Sequence, residues 1–314
     1  MSRTPDPPGT AFRRRDAVRA GVKKHRLDGP SFQSVFPSIR VAAALHVTVL
    51  VRAEAALLLC HYSAVISHHT AARIWGGIVP DGCDVHVSVP EARHRPKRRG
   101  IRPHVRSRKV GVVTHGRVRL TDPPTTFVEL ARELDLVDLV VLGDSLVKAG
   151  RFTVGEVQAA AKAWHGPGAV RARHAATLVR AAVDSPMETR LRLLLVFAGL
   201  PEPQVNFSIR NDDGQVVYRL DLAFAEWCVA VEYDGRQHAE DERQWGHDLG
   251  RRESLDGLGW RLVVCRATDV YTSPRETVDR VVSALRGQGM ELSDPTPSPL
   301  FDRHFPGRPG RRAR

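Results

Sequence analysis

Two acidic residues, Asp221 and Glu232, occur on neighbouring strand-like segments at a spacing that suits a divalent metal ion. In residues 216–224 every even position is apolar, which predicts one buried face and leaves Asp221 on the other. A turn centred between Glu226 and Trp227 then places Asp221 opposite Glu232, with Cβ atoms about 5 Å apart. Two like charges in that position destabilise a hairpin unless a cation lies between them.

A Mg²⁺ or Mn²⁺ ion held there would activate water and neutralise charge on a phosphodiester under in-line attack. A second interpretation stays open, in which Asp221 forms an ion pair with Arg219 or Arg236 at a solvated strand end. Asp234 lies on the same strand face as Glu232 and adds a third carboxylate. The three acids make metal-dependent hydrolysis the chemistry to test.

Glu188 is a further acidic candidate, at the start of a predicted helix. Ser185, Pro186 and Glu188 form a capping box, with Ser at the N-cap and Glu at the third helical position. Glu188 therefore either caps the helix only, or also places a carboxylate at the rim of the sheet, where it would hold a metal-bound water.

Two further residues are candidates for contact with a phosphate. His238 follows a strand end and would act as general base or phosphate ligand, although a lone loop histidine commonly does neither. Arg252 shares a helix face with Trp245, Leu249 and Leu255, so we expect it to point inward toward an anion. That anion is Asp248, a carboxylate of the site or the scissile phosphate.

The elements that must position these residues follow the order α-β-β-β-α-β-α. We expect a helix from Ser185 to Gly199, followed by strands at 205–209, 216–224 and 228–233, a helix at 241–258, a strand at 260–265 and a helix at 275–286. The tail from 291 to 314 is rich in Pro and Arg, which predicts disorder.

The first half alternates short strand-like and helix-like runs. A β-branched run at 47–51 and an alternating run at 84–89 predict strands, and residues 125–148 predict one helix. His68 and His69 are not expected to bind metal, because adjacent helical side chains diverge by about 100° and no carboxylate accompanies them. His86 is expected to be structural.

An arginine-rich segment at 93–109 predicts a hairpin or loop that contacts nucleic-acid phosphates. A solvated charged loop is the alternative. The candidate cations are Arg95, Lys97, Arg98, Arg99, Arg106, Arg108 and Lys109.

Charge is divided unevenly along the 314 residues, whose formal net charge is +12. Residues 1–180 hold 29 Lys and Arg against 14 Asp and Glu, whereas 181–299 hold 13 against 20. A basic half joined to an acidic half suits a protein that grips a polyanion and binds metal. No apolar run suits a membrane span or secretory signal, and the four cysteines lack CxxC spacing, so a cytoplasmic protein is expected.

The second half resembles the very-short-patch-repair-like (Vsr-like) branch of the PD-(D/E)XK endonucleases. The segments that carry the resemblance are SPMETRLRLLL, YRLDLAF, VAVEYDGRQH and HDLGRRESLDGLGWRLVVCR. The resemblance implies that Glu188 is the helix acid, Asp221 the central metal ligand and Glu232 the first residue of the strand motif. It implies that Asp234 and His238 are further site residues.

Asp234 departs from that pattern, because the motif has lysine at this position. The positive charge would then come from Arg236, His238 or Arg252, or a second ion would bind, or the site would cut weakly.

The first half resembles the AbiEi-family antitoxin and regulator domains. The segments that carry this resemblance are SHHTAARIWG, DVHVSVP, TDPPTTFVELA and VDLVVLGDSLV. It implies a DNA-binding or regulatory module.

These observations predict an α/β protein of three parts. Residues 1–180 form a basic α+β DNA-binding domain, 181–290 a restriction-endonuclease-like α-β-β-β-α-β core with a mixed sheet, and 291–314 a tail. The predicted function is metal-dependent cleavage of DNA in repair or defence. One alternative is a non-catalytic DNA-binding regulator on a degenerate nuclease fold; another is a structural protein without nucleic-acid contact.

Overall fold

The computed structural model describes residues 11–106, 110–235 and 242–308, and the side chains in those ranges except those of 242–249. The chain divides into two compact units, residues 1–178 and 179–314.

The first unit contains two sheets and eight α-helices within its described residues. Its elements are β1 (Phe12–Arg13), α1 (Arg14–Arg19), α2 (Lys24–Leu27), β2 (Phe32–Phe36), β3 (Ile39–Ala42), α3 (Val49–Leu57), β4 (Val65–Ile66), α4 (His68–Ile74), β5 (Val85–Val89), β6 (Ile101–Val105), β7 (Val112–His115), β8 (Val118–Thr121), α5 (Pro123–Leu130), α6 (Leu136–Lys148), α7 (Val154–Ala163) and α8 (Ala169–Leu178). The larger sheet has the order β6-β5-β4-β8-β7, with parallel pairs β5–β6 and β4–β8.

Three sequence-based predictions for this unit are wrong. The run at 47–51 opens α3 instead of forming a strand, because the Thr48 hydroxyl caps the Val51 N–H at 3.3 Å. The single helix at 125–148 is two helices, since Asp135 caps a new one by accepting from the Asp138 N–H at 2.8 Å. Over its described residues, 93–106, the arginine-rich segment is neither a hairpin nor a loop throughout, because β6 lies within it and pairs in parallel with β5.

The second unit has the predicted order of elements around a mixed four-stranded sheet. The elements are α9 (Pro186–Phe197), β9 (Gln204–Arg210), β10 (Val216–Phe224), β11 (Val229–Tyr233), α10 (Glu242–Gly257), β12 (Arg261–Cys265), α11 (Ala267–Tyr271), α12 (Pro274–Gly287) and α13 (Pro299–His304). The strand order is β12-β11-β10-β9, with β10 antiparallel to both neighbours and β11 parallel to β12. The α/β class and the α-β-β-β-α-β core are confirmed.

The β10–β11 hairpin has the register that the apolar alternation predicts. Leu222 pairs with Val231, and Phe224 pairs with Val229 across a turn that ends at Cys228 in the left-handed region. Continuing this register by one pair places Asp221 opposite Glu232. The buried even-numbered residues of β10, Leu220, Leu222 and Phe224, are apolar, as expected.

The tail differs from the prediction of disorder over 291–314. Residues 299–304 form α13, which packs on α9, and the Ser298 N–H donates to the Phe197 carbonyl at 2.8 Å. Phe301 and Phe305 are only 1% and 3% exposed. Two buried aromatic side chains supply enough apolar burial to order a segment whose average composition suggests none.

Replacing Phe301 by Ala should lower the free energy of unfolding by about 3–5 kcal/mol, because it empties a buried aromatic position. Urea denaturation followed by circular dichroism measures this change. The exposed neighbour Arg303 provides the control, and Arg303→Ala should change stability by less than about 0.5 kcal/mol. An effect of Phe301→Ala as small as that expected for Arg303→Ala would show that α13 contributes nothing to the fold.

Candidate active site

Asp221 and Glu232 form the centre of the site. The Tyr233 N–H donates to Asp221 Oδ2 at 2.9 Å, which fixes the carboxylate at the end of the hairpin. The Glu232 side chain is 12% exposed. Arg219, the neighbour considered as a partner for Asp221, instead makes its ion pair with Asp184, at 3.1 Å. The two acids are therefore held on neighbouring strands and largely out of water.

Glu188 is buried at the first turn of α9, with 6% of its surface exposed. Its N–H donates to Ser185 Oγ at 3.2 Å, and its Oε2 accepts from the Asp184 N–H at 2.9 Å. The capping role is thus present. Burial, followed by the negative charge of Asp221, raises the pKa of Glu188. Glu188 therefore caps its helix and is also affected by the negative charge of Asp221.

Burial is also the main reason why the pKa of each central acid is raised. The pKa of Asp221 is raised by burial against the opposing effect of the Tyr233 hydrogen bond. The pKa of Glu232 is raised to about 7 by burial, with a smaller contribution from Asp221 and an opposing one from Arg251. Carboxylates that are costly to ionise together are stabilised by a nearby cation.

Arg251 supplies a positive charge to this cluster. Its guanidinium donates to Glu232 Oε1 at 2.5 Å and to the Arg219 carbonyl at 2.9 Å. The prediction that Arg252 points inward is wrong, because Arg252 is exposed. Both positions flank the buried Leu255, at about 40° and 60° of helical rotation, so helical periodicity alone did not separate them.

Asp234 lies just beyond β11, at the position where the nuclease motif has lysine. Its N–H donates to the Cys265 carbonyl at 2.8 Å, which continues the pairing of β11 with β12. Its side chain is 18% exposed and lies 4.0 Å from Arg266 Nε. Arg266 therefore offers a second cation on this side of the site. His238 and Arg236 lie outside the described residues.

The carboxylate groups suit Mg²⁺ or Mn²⁺. Hard divalent cations bind carboxylate oxygens, and Mg²⁺ typically takes one or two protein carboxylates and keeps several waters. Asp221 and Glu232 offer two such groups on neighbouring strands, and the charge of Asp221 is one cause of the raised pKa of Glu188. The residues present therefore fit the metal that the resemblance to PD-(D/E)XK endonucleases implies.

Metal affinity should increase as the pH rises through about 7, because protonated Glu232 cannot bind the ion. In EDTA, where no metal is bound, the stability of the fold should change with pH in the opposite direction and fall as the pH rises. The folded-state pKa of Glu232 lies above the ordinary glutamate value of 4.5, so stability is full below that value and is lost as the pH approaches 7. Thermal midpoints measured across this range with and without Mn²⁺ test both signs. Glu232→Gln should flatten both profiles, and an unchanged profile would contradict the assignment.

The basic segment of the first unit is divided between exposed and constrained cations. Arg95, Lys97, Arg98 and Arg99 are exposed, whereas Arg106 is half-buried and donates to the Ser63 carbonyl at 3.4 Å. Burial lowers the pKa of Arg106. Arg108 and Lys109 lie outside the described residues.

One group of histidines was not predicted as a site. The expectation that no carboxylate accompanies His68 and His69 is wrong, since Glu129 and Glu133 lie beside them. These acids are some sixty residues away in the sequence, so no local spacing indicates them. The only signal is their own spacing of four, which places both on one helical side.

Comparison with known proteins gives a family match in the second unit. Residues 202–285 match the model of REase_MTES_1575, a restriction-endonuclease-like family. The second unit therefore has a restriction-endonuclease-like fold. The matched range includes Asp221, Glu232, Asp234 and Arg251, whereas Glu188 lies before it.

Two relatives from Mycobacterium tuberculosis match over 233 residues at 28% identity. They are "Uncharacterized protein MT2308" of strain CDC 1551 / Oshkosh and "Uncharacterized protein Rv2248" of strain ATCC 25618 / H37Rv, and each match covers 71% of this chain and 81% of the relative. A solved structure, "Crystal structure of RV2827C protein from Mycobacterium tuberculosis", aligns with TM-score 0.39 and 11% identity over 65% of this chain and 84% of that one. Among the described residues, none of the helices has the length and apolar character needed to cross a membrane.

Proposed function

We propose that the second unit is a metal-dependent DNA endonuclease that hydrolyses phosphodiester bonds. The observation that carries the proposal is the position of Asp221 opposite Glu232 at the end of the β10–β11 hairpin. Glu188 is also buried, and the charge of Asp221 contributes to its raised pKa. Such a group of acids is unfavourable without a cation. The restriction-endonuclease-like match over the same hairpin supports this assignment.

Each residue has a proposed role. Asp221 and Glu232 hold Mg²⁺ or Mn²⁺, which supplies a Lewis acid for water and phosphate when bound. Glu188 and Asp234 orient water at the rim of the site. Arg251 replaces the motif lysine as the positive charge of the site. Its guanidinium contacts the phosphate, which arginine can bind through two parallel hydrogen bonds. His238 is proposed as general base.

The first unit is proposed to bind DNA through the exposed Lys and Arg side chains on its surface. Arg95, Lys97, Arg98 and Arg99 are exposed and would contact phosphates, whereas Arg106 donates to the Ser63 carbonyl. The basic charge of the first half and the acidic charge of the second suit a first unit that binds DNA and a second unit that binds metal. The resemblance to AbiEi-family domains favours the same role.

Replacing Arg95, Lys97, Arg98 and Arg99 together by Ala should weaken DNA binding and flatten its salt dependence. The slope of log K against log salt should shrink by about 0.9 for each phosphate that the variant no longer neutralises. Fluorescence anisotropy over a salt series measures the slope. Arg15, Arg19, Lys23 and Lys24 are four cations elsewhere in the same unit, and their replacement is the matched control. Equal slopes for both variants would exclude the 95–99 segment as the contact.

A second candidate function is that of a non-catalytic DNA-binding regulator or antitoxin. Aspartate at position 234 and the contact of Arg251 with Glu232 favour it, because both leave the motif incomplete. In that case the acids would be a retained feature of the fold and the chain would bind DNA without cutting it.

Cleavage of supercoiled and linear DNA separates these functions. The full chain is incubated with Mg²⁺, Mn²⁺ or EDTA, and DNA binding is measured in the same buffers. Nicked or linear product that needs the metal is the expected result. Binding without any product in either metal would favour the regulator, and the absence of salt-dependent binding would favour a protein without nucleic-acid contact.

A further inference from the structure

Histidine and glutamate side chains from four parts of the first unit meet in one place, separate from the candidate active site. His68 begins α4, His86 lies on β5, His104 lies on β6, and Glu133 follows α5. Parallel pairing of β5 with β6 sets Ser88 opposite His104, so that His86 and His104 become neighbours on one face. The cluster therefore depends on the tertiary arrangement of the sheet and its helices.

Three of these side chains converge with the spacing of metal ligands. Glu133 Oε1 lies 3.8 Å from His68 Nε2 and 3.5 Å from His104 Nδ1. One ligand atom from each residue lies within 4.8 Å of the other two. Bonds of about 2.0–2.1 Å to a tetrahedral ion place ligand atoms about 3.3 Å apart. The His68 and His104 rings are stacked, with centroids 3.7 Å apart and planes inclined by 12°, so one ring must turn for both nitrogens to point at the same ion.

The second ring nitrogen of each histidine already has a partner. His68 Nδ1 lies 3.0 Å from Ser67 Oγ and 3.7 Å from Glu129 Oε2, and His104 Nε2 lies 3.0 Å from His86 Nδ1. Histidines that bind metal through one nitrogen usually use the other in this way, which fixes the ring orientation. The nitrogens that face Glu133 are thus the ones left for coordination.

Burial keeps these rings neutral and largely out of solvent. The side chains of His68 and His104 are 11% and 15% exposed. Burial lowers the pKa of His104 to about 4 and that of His86 to about 3, so each ring carries an available lone pair at pH 7.

Two further features distinguish the cluster from an ordinary hydrogen-bonded group. The backbone of His68 has φ +50°, a left-handed conformation that costs energy in a residue other than glycine and is found at functional sites. His69 Nδ1 is buried, has no hydrogen-bond partner among the described residues, and lies 3.6 Å from Glu133 Oε2. Both observations point to a ligand-binding role for the surroundings of Glu133.

We propose that His68 Nε2, His104 Nδ1 and Glu133 Oε1 bind one divalent transition-metal ion, with Zn²⁺ as the best fit. Imidazole nitrogens together with one carboxylate suit Zn²⁺ and related ions, and water completes the coordination. This set differs from the carboxylate group of the second unit, which suits Mg²⁺ or Mn²⁺. The inference is independent of the nuclease proposal.

Titration of the metal-free full chain with Co²⁺ and Zn²⁺ tests this site. The titration is made in wild type and in Asp221→Asn/Glu232→Gln, which removes the other carboxylate site. We expect one tightly bound equivalent in both, with the visible absorption of four- or five-coordinate Co²⁺ and its displacement by Zn²⁺. A further, weaker equivalent at the carboxylate site is expected in wild type only. Glu133→Gln and His104→Ala should each weaken binding by at least about 100-fold. His174→Ala, at an exposed position on α8, should leave affinity unchanged.

Folding of the variants is followed by circular dichroism and by the metal-free thermal midpoint. Should either variant fail to fold, X-ray absorption of the wild-type Zn²⁺ complex decides, because two imidazoles and a carboxylate give a shell of light ligands with imidazole scattering. The proposal is overturned if the double variant binds no Co²⁺ or Zn²⁺, if folded Glu133→Gln binds as tightly as wild type, or if the absorption spectrum lacks imidazole.

Discussion

Asp221→Asn combined with Glu232→Gln should lower metal-dependent cleavage by at least about 100-fold. A metal ion at a phosphodiester supplies several kcal/mol of transition-state stabilisation, and each 1.36 kcal/mol corresponds to a factor of ten in rate. Both substitutions preserve shape. The asparagine side chain at position 221 would retain an oxygen for the Tyr233 N–H, and the glutamine at position 232 would retain one for Arg251.

The same variant should not lose stability. Burial raises the pKa of both acids, so replacing them with neutral amides removes an unfavourable pair of charges in the metal-free protein. A thermal midpoint in EDTA at pH 8 that is equal to or higher than that of wild type is expected. Loss of cleavage together with retained stability separates a lost metal site from a damaged fold.

Glu226→Gln provides the matched control for this prediction. Glu226 lies in the turn of the same hairpin and is exposed, so its replacement removes one carboxylate without touching the proposed metal. Cleavage by this variant should stay within about twofold of wild type. The assignment fails if the Asp221 and Glu232 variant cuts as fast as Glu226→Gln, because the activity would then arise from other residues.

Arg251→Ala should have the second large effect, a fall in turnover of about 10²–10³-fold. Removal of one well-placed donor to developing negative charge typically costs that amount. Metal affinity should change in the other direction, because Arg251 competes with a cation for Glu232 Oε1. Tighter Mn²⁺ binding with slower cleavage is therefore expected, measured by calorimetry and by single-turnover kinetics at saturating DNA.

The adjacent residue supplies the control. Arg252 is exposed, so Arg252→Ala should weaken DNA binding slightly and leave the single-turnover rate near that of wild type. An increase in cleavage on removal of Arg251 would instead show that its guanidinium blocks the metal position. That result would assign the second unit to a regulator whose nuclease site is closed by its own side chain.

Local pattern in the sequence was enough to predict the hairpin and the helix start that hold the acids. The even positions of 216–224 are all apolar, and a one-residue slip would move Leu220, Leu222 and Phe224 to the opposite face. Leu222 pairs with Val231 as that argument requires. Ser185 and Glu188 lie three residues apart, so their capping interaction is local as well.

Other features were decided by contacts between residues far apart in the chain. The choice of Arg251 over Arg252 depends on where Glu232 lies once α10 packs on the sheet. Ordering of 299–304 depends on α9, which supplies the apolar surface for Phe301. A prediction of disorder from average composition does not take into account the positions of single residues such as Phe301 and Phe305.

The histidine cluster shows the same division most clearly. His68, His104 and Glu133 carry no common spacing in the sequence, and they meet because β5 pairs with β6 while α4 and α5 pack together. A periodic pattern reports which face of an element is buried, since that depends on neighbours within the element. Which side chains meet across elements depends on how the elements pair and pack, and only the tertiary structure decides this.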